Sequence, residues 1–153
     1  MGYTHYWEFS SNRGKTAQYE KKYQLAIAKC AKVIRYYSDT FGGLSGYTAH
    51  DKKRVYGGLK VNGSREYSHE DFCMREHLSE NEGFNFCKTA QKPYDTVVVA
   101  CLIIMRHYLG DSIRVSSDGD RREWNDGLTL VQKVLNLKKI QIPVSIRDRD
   151  EVA

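Results

Sequence analysis

Three short stretches of the chain carry residue types that can do chemistry. The first, Phe84 to Asp95, reads Phe-Asn-Phe-Cys-Lys-Thr-Ala-Gln-Lys-Pro-Tyr-Asp. It sets a thiol (Cys87), an ammonium (Lys88), a hydroxyl (Thr89) and a carboxylate (Asp95) in the link from an expected strand to the start of an expected helix. Unpaired backbone N–H groups and the helix dipole favour an anion at such a place, so Lys88 and Thr89 read as contacts to phosphate or ribose oxygens. The plainer reading has Asp95 serving its own helix, Cys87 in the core and the lysines in water. No glycine-rich phosphate loop is present, which excludes a Walker-type triphosphate site here. The second stretch, Val115 to Asp120, ends a strand in Ser116-Ser117-Asp118-Gly119 and is followed by Trp124. It delivers a hydroxyl and a carboxylate to a sheet edge, where ligand crevices form, although an Asx-turn needs the same residues.

The third stretch runs from His69 to His77. On a helix His69, Cys73 and His77 would share one side and suggest zinc, but no fourth ligand arrives at a recognisable spacing. Glu70 or His69 reads better as a polar ligand in a pocket or as a general acid or base. A Cys–His nucleophile pair needs a proximity that sequence does not give. A Ser-His-Asp hydrolase would carry Gly-x-Ser-x-Gly, and Gly43-Leu44-Ser45-Gly46-Tyr47 has the wrong final spacing. No metal site and no cofactor motif is expected.

The elements that must position these groups follow from hydrophobic period. Tyr3 to Phe9 alternates as a strand. From Lys15 to about Phe41 the apolar positions Tyr19, Tyr23, Ala26, Ile27, Cys30, Val33, Ile34 and Tyr37 recur at steps of three and four, an amphipathic helix stopped by Gly42-Gly43. Its outer face carries Lys22, Lys29, Lys32 and Arg35. Gly42 to Gly63 reads as loops with short strands at Arg54–Tyr56 and Leu59–Val61. Tyr67 to Glu76 is ambiguous between strand and helix, and Phe84 to Cys87 is a short strand. Pro93 opens a second helix, Tyr94 to Leu109, whose stretch Val97–Met105 is apolar all round and predicts burial. Ile113–Ser116 is a strand and Leu128 to Leu137 a third helix. The remainder, 138–153, reads as an appended strand or arm whose Ile140, Ile142, Val144 and Ile146 could meet a partner chain. The expectation is a single α+β domain over 1–137, with a mixed or antiparallel sheet of four to six strands packed by the long helix and the buried central one.

Composition limits the function classes. The chain has 153 residues, 41% of them apolar and 28% charged, which suits one globular core and excludes disorder and fibres. A formal net charge of +5 favours an anionic partner, and the 11 tyrosines can line a wet site with rigid rings and hydroxyls. The four cysteines lack metal or disulfide spacing. The longest apolar run, Val97 to Met105, falls far short of the roughly 18 residues that span a bilayer, and no secretory leader is recognisable. A cytoplasmic protein with no membrane partner is expected.

Gly2-Tyr3-Thr4-His5-Tyr6-Trp7, Ser68–Phe72, Phe84–Asp95 and Ser116–Gly119 with Trp124 together resemble a family of small uncharacterised phage and bacterial proteins. The family's run is Phe-Cys-Lys-Thr-Ala-Arg-Lys-Pro-Tyr-Asp, and this chain has Gln91 in place of the arginine. The likeness spans Tyr3 to about Leu135. It implies a phage habitat and, in a host cytoplasm, capture of a nucleotide immune signal such as a cyclic nucleotide or an ADP-ribose derivative. The residues and the resemblance together predict a pocket for a nucleotide-derived anion. Its polar contacts are His69, Glu70, Lys88, Thr89, Asp95, Ser117 and Asp118, and Tyr3, Tyr6 or Trp124 supply the stacking face. Two alternatives stay open. One is an enzyme on such a ligand, a phosphodiesterase, glycosyl hydrolase or transferase, which leaves turnover undecided. The other is a protein that binds nucleic acid or a host protein. A homo-oligomer would suit a small sequestering protein.

Overall fold

In the computed structural model, residues 2–10, 16–48, 57–81 and 83–149 are described. The expected strand at Arg54–Tyr56 lies outside them. The order is β1 (Thr4–Phe9), α1 (Thr16–Phe41), β2 (Leu44–Thr48), β3 (Leu59–Gly63), β4 (Phe72–Met74), β5 (Phe84–Lys88), α2 (Asp95–Leu109), β6 (Ile113–Ser117) and α3 (Arg121–Leu135). This is an α+β domain. Among the described residues all strand pairs are antiparallel, and six strands fall into two sheets of three, ordered β5-β1-β6 and β2-β3-β4.

α2 forms the centre, as its unbroken apolar run requires: Val97 to Met105 are all buried. α1 packs on it through Tyr23, Ala26, Ile27, Cys30, Val33 and Ile34, and α3 packs through Trp124, Gly127, Leu130 and Val131. No described helix is long and apolar enough to cross a membrane. The sheet β5-β1-β6 lays Trp7, Cys87, Ile113 and Val115 on this core, and Trp7 meets Phe72 of the other sheet at 5.1 Å between ring centroids. All four cysteines are free.

Two elements differ from expectation for identifiable reasons. β2 was expected to be loop because its glycines weaken strand propensity. Gly46 has φ +115°, and a Cβ there would fall 1.9 Å from the Lys60 carbonyl oxygen, so the glycine is what lets β3 approach. α3 begins seven residues before the expected Leu128 because Asp120 and Glu123 form a capping box. Asp120 accepts from the Glu123 N–H at 3.0 Å, and Glu123 accepts from the Asp120 N–H at 3.2 Å.

Residues 138–149 form no strand. Ile140, Ile142 and Ile146 are buried in the core of their own chain, and of the four apolar residues expected to meet a partner Val144 alone stays exposed. The Arg121 guanidinium holds this strap, donating to the carbonyls of Ile142, Pro143 and Ile146. The Ser145 hydroxyl donates to Val115 O and covers the outer edge of β6.

Two measurements check this packing. A Cβ on Gly127 would lie 2.4 Å from Val99 Cγ1, so Gly127→Ala should cost about 1–3 kcal/mol in urea unfolding despite the better helix former. Glu20 accepts from His77 Nδ1 at 3.0 Å and from the Leu78 N–H at 2.8 Å, tying α1 to the turn after β4. The His77 imidazole is raised above its ordinary 6.5, chiefly by that bond to Glu20. Burial alone would raise the Glu20 carboxyl, but the bonds from His77, Gln24 and Leu78 outweigh it and hold it below its ordinary 4.5. The His77 contribution is complete below its unfolded value and fades as pH rises through the raised one. The Glu20 contribution is present above its unfolded value and fades as pH falls through the lowered one. The tie is therefore strongest between the ordinary carboxylate and imidazole ranges. An NMR titration should show His77 falling back toward 6.5 in Glu20→Gln.

Candidate functional site

The residues singled out in the sequence gather at one end of the β5-β1-β6 sheet. Lys88 pairs with Thr4 on one side, and the Asp118 N–H donates to the Thr4 carbonyl on the other at 2.9 Å. The two charges thus flank one residue of the central strand. Between and beneath them lies a polar network in the core. His5 is fully buried, with Nε2 2.6 Å from Asp95 Oδ1 and Nδ1 2.7 Å from Ser117 Oγ. Thr89, also fully buried, donates its hydroxyl to the same Asp95 oxygen at 2.5 Å. Ser117 Oγ accepts from Trp124 Nε1–H at 3.1 Å and from the Gly119 N–H at 2.8 Å.

Counting donors fixes the protons. The Ser117 oxygen has two lone pairs, both taken by Trp124 and Gly119, so its own proton goes to His5 Nδ1. Nε2 then carries the imidazole proton and donates it to Asp95. The arrangement is an Asp-His-Ser line without the means of attack, since the serine oxygen has no lone pair free and the imidazole meets no solvent. Its parts join the first strand, the entry of α2, the end of β6 and α3.

Tyr3 and Trp124 close the network. Their rings stand edge-on to His5, with centroids 5.2 and 5.4 Å away. Burial, and then the negative charges of Asp95, Glu123 and Asp120, push the Tyr3 phenol well above its ordinary range. Among the described residues its hydroxyl has no hydrogen-bond partner, and a Cβ on Gly119 would come within 2.1 Å of it. Trp124 is 0% exposed, so neither ring offers a stacking face to a ligand.

The remaining expected residues divide. Glu70 lines the outer edge of β5, accepting from the Lys88 N–H at 2.7 Å and donating its own N–H to Lys88 O. Its carbonyl accepts from the Tyr94 hydroxyl at 2.6 Å. Cys87 is buried, and burial, then Glu70, push its thiol up to about 12, which removes it as a nucleophile. His69 is exposed, and its backbone is held by Asn62 away from the His5 network. Among the described residues, the His and acid side chains close enough to share an ion are Glu76, His77 and Glu80, all exposed, and His69 and Cys73 are not among them.

Tyr6 leads elsewhere. Asp118 accepts from the Thr4 N–H at 3.0 Å and from the Tyr6 hydroxyl at 3.3 Å. Tyr6 thereby lies on the outer face of the sheet, beside Phe84 and Phe86, which are 62% and 56% exposed. The Tyr6 and Phe84 ring centroids are 5.7 Å apart, with planes within 26°. A hollow of about 710 Å³ opens here, lined by Tyr6, Glu8, Phe84, Arg114, Ser116 and Val144 among others. Sequence reading found Tyr6 but missed Glu8, Phe84 and Arg114. Their strand period did place them on one face, but nothing local said that this face is left uncovered. His5 was missed because a lone histidine in a strand carries no motif.

No protein-family model matches the chain, and no curated protein or solved structure does either.

Ser117→Ala would leave Trp124 Nε1–H, the Gly119 N–H and His5 Nδ1 without their partner. We expect a loss of about 1–3 kcal/mol or more in urea unfolding. A fluorophosphonate probe should leave Ser117 of the native protein unlabelled by mass spectrometry.

Proposed function

We propose that this chain binds a nucleotide-derived anion on the outer face of β5-β1-β6. The observation that carries the reading is the near-parallel pair of half-buried Tyr6 and exposed Phe84, beside an arginine whose guanidinium has no partner among the described residues. Arg114 lines the same hollow, and its guanidinium makes no hydrogen bond or ion pair among the described residues. A base stacks on an aromatic face with about 1–3 kcal/mol, and a guanidinium grips a phosphate in bidentate fashion. The hollow is within the roughly 300–1,000 Å³ range of small-molecule sites. Exposed aromatic surface of this kind on a small domain marks a binding face.

The reading is capture rather than turnover, because the side chains that look reactive in the sequence are committed to the fold and not to the hollow. Ser117, His5 and Asp95 are bonded to one another, and the buried Cys87 thiol is held neutral at ordinary pH. In the phage setting that the sequence resemblance implies, such capture would sequester a host nucleotide signal.

Isothermal titration with purine nucleoside monophosphates tests this. Phe84→Ala and Arg114→Ala, both at exposed positions, should each weaken binding by about tenfold or more while the circular dichroism stays unchanged. Bound nucleotide should return chemically intact after denaturation, and a converted product would overturn capture. Replacing Lys29 and Lys32 on α1 should leave affinity unchanged. A loss there, with steep salt dependence, would instead assign binding to the helix face.

A further inference from the structure

Glu8 stands opposite both Phe84 and Arg114 in the sheet register, on the outer face, and it lines the same hollow. It is exposed, and its carboxylate makes no hydrogen bond or ion pair among the described residues, not even with the Arg114 guanidinium across the strand. A carboxylate is an unexpected neighbour for the phosphate end of a nucleotide, because like charges repel. It fits instead where a ligand presents donors.

From this juxtaposition we propose that the hollow selects guanine, with Glu8 as the residue that reads the base. The inference rests on the nucleotide-binding reading and sharpens it. An ionised carboxylate accepts through two oxygens and donates nothing. Among the common bases, guanine alone sets two N–H donors, N1–H and N2–H, side by side on its Watson–Crick edge, matching those two oxygens. Adenine and cytosine each offer one amino group beside a ring acceptor, and that acceptor would face the second carboxylate oxygen across a repulsive contact. Uracil offers a single N–H between two carbonyls.

Ring geometry selects in the same direction. The Tyr6 and Phe84 planes lie within 26° of each other at 5.7 Å between centroids, so the two rings stack offset on one another. The open face of Phe84, 62% exposed, gives a bicyclic purine more overlap than a single-ring pyrimidine. The Tyr6 hydroxyl, tethered to Asp118, fixes the ring on which Phe84 leans. Arg114, directly across from Glu8, supplies the positive charge for the phosphate. A base-reading carboxylate and a phosphate-binding guanidinium thus face each other over the hollow.

The test is titration of the full chain with GMP, AMP, CMP and UMP, repeated on Glu8→Gln. GMP should bind at least about tenfold more tightly than AMP. Glu8→Gln should weaken GMP by about tenfold and leave AMP unchanged or tighter, because the amide keeps one acceptor and turns the other into a donor that clashes with guanine but suits the adenine ring acceptor. Glu8 is exposed, so the variant should keep the native circular dichroism spectrum. Equal affinity for GMP and AMP, or a Glu8→Gln protein that binds GMP as the native one does, overturns guanine selection. Phe84→Ala and Arg114→Ala would still weaken binding in that case, so the nucleotide site would survive. If none of the four nucleotides binds, both readings fall.

Discussion

The fully buried His5, pinned between Asp95 and Ser117, is the constraint on which the other features rest. Four elements contribute to its network: β1 brings His5, the entry of α2 brings Asp95, the end of β6 brings Ser117, and α3 brings Trp124. An imidazole, a carboxylate and two hydroxyls taken out of water are tolerable only when every donor finds an acceptor, because each buried polar group left unpaired costs about 1–3 kcal/mol. Among the described residues the bonds of His5, Asp95, Ser117 and Thr89 are met within the network, while the buried Tyr3 hydroxyl beside it has no partner. A closed network of this kind is directional, and so it sets the register of β1 against β6 and the approach of both to α2 more sharply than apolar packing alone could.

That register decides the character of the opposite face. Once His5 and Trp7 point inward, the two-residue period sends Tyr6 and Glu8 outward, and strand pairing sets Phe84, Phe86, Arg114 and Ser116 beside them. Helices cover the inner face only. The strap formed by residues 138–149 covers the outer edge of β6 through Ser145 and stops there, with Val144 88% exposed at the rim of the hollow. The open aromatic surface is therefore a by-product of how the core is closed. Asp118 couples the two sides: its backbone N–H bonds Thr4 O at the end of the network, and its carboxylate holds the Tyr6 hydroxyl on the outer face.

The residues that look most reactive in the sequence are those the fold uses to hold itself together. Asp95, Ser117, Thr89 and Trp124 are bonded to one another, and Cys87 is buried. Lys88 and Glu70 are joined through the backbone at the edge of β5. Glu8 and Arg114, whose side chains have no partner among the described residues, sit in stretches that carry no motif. A dense run of chemical residue types is as well suited to a satisfied polar core as to a site, and only a three-dimensional donor and acceptor count separates the two.

The sequence by itself determined the elements that a strong period or a strong stop defines. The 26-residue α1 ends at Gly42-Gly43, the uniformly apolar α2 is buried, and β1, β5 and β6 alternate as expected, because these signals depend on neighbours within a few residues. It also set Tyr6 and Trp7 on opposite faces, since the strand period is local. Tertiary structure alone decided the division of six strands into two sheets, the closure of the His5 network across more than a hundred residues of chain, and the folding of Ile140, Ile142 and Ile146 into their own core. Each of these depends on groups far apart in sequence finding one another in space. Which face of β5-β1-β6 would stay uncovered belongs with them, because cover is supplied by helices and a strap whose direction no local pattern encodes.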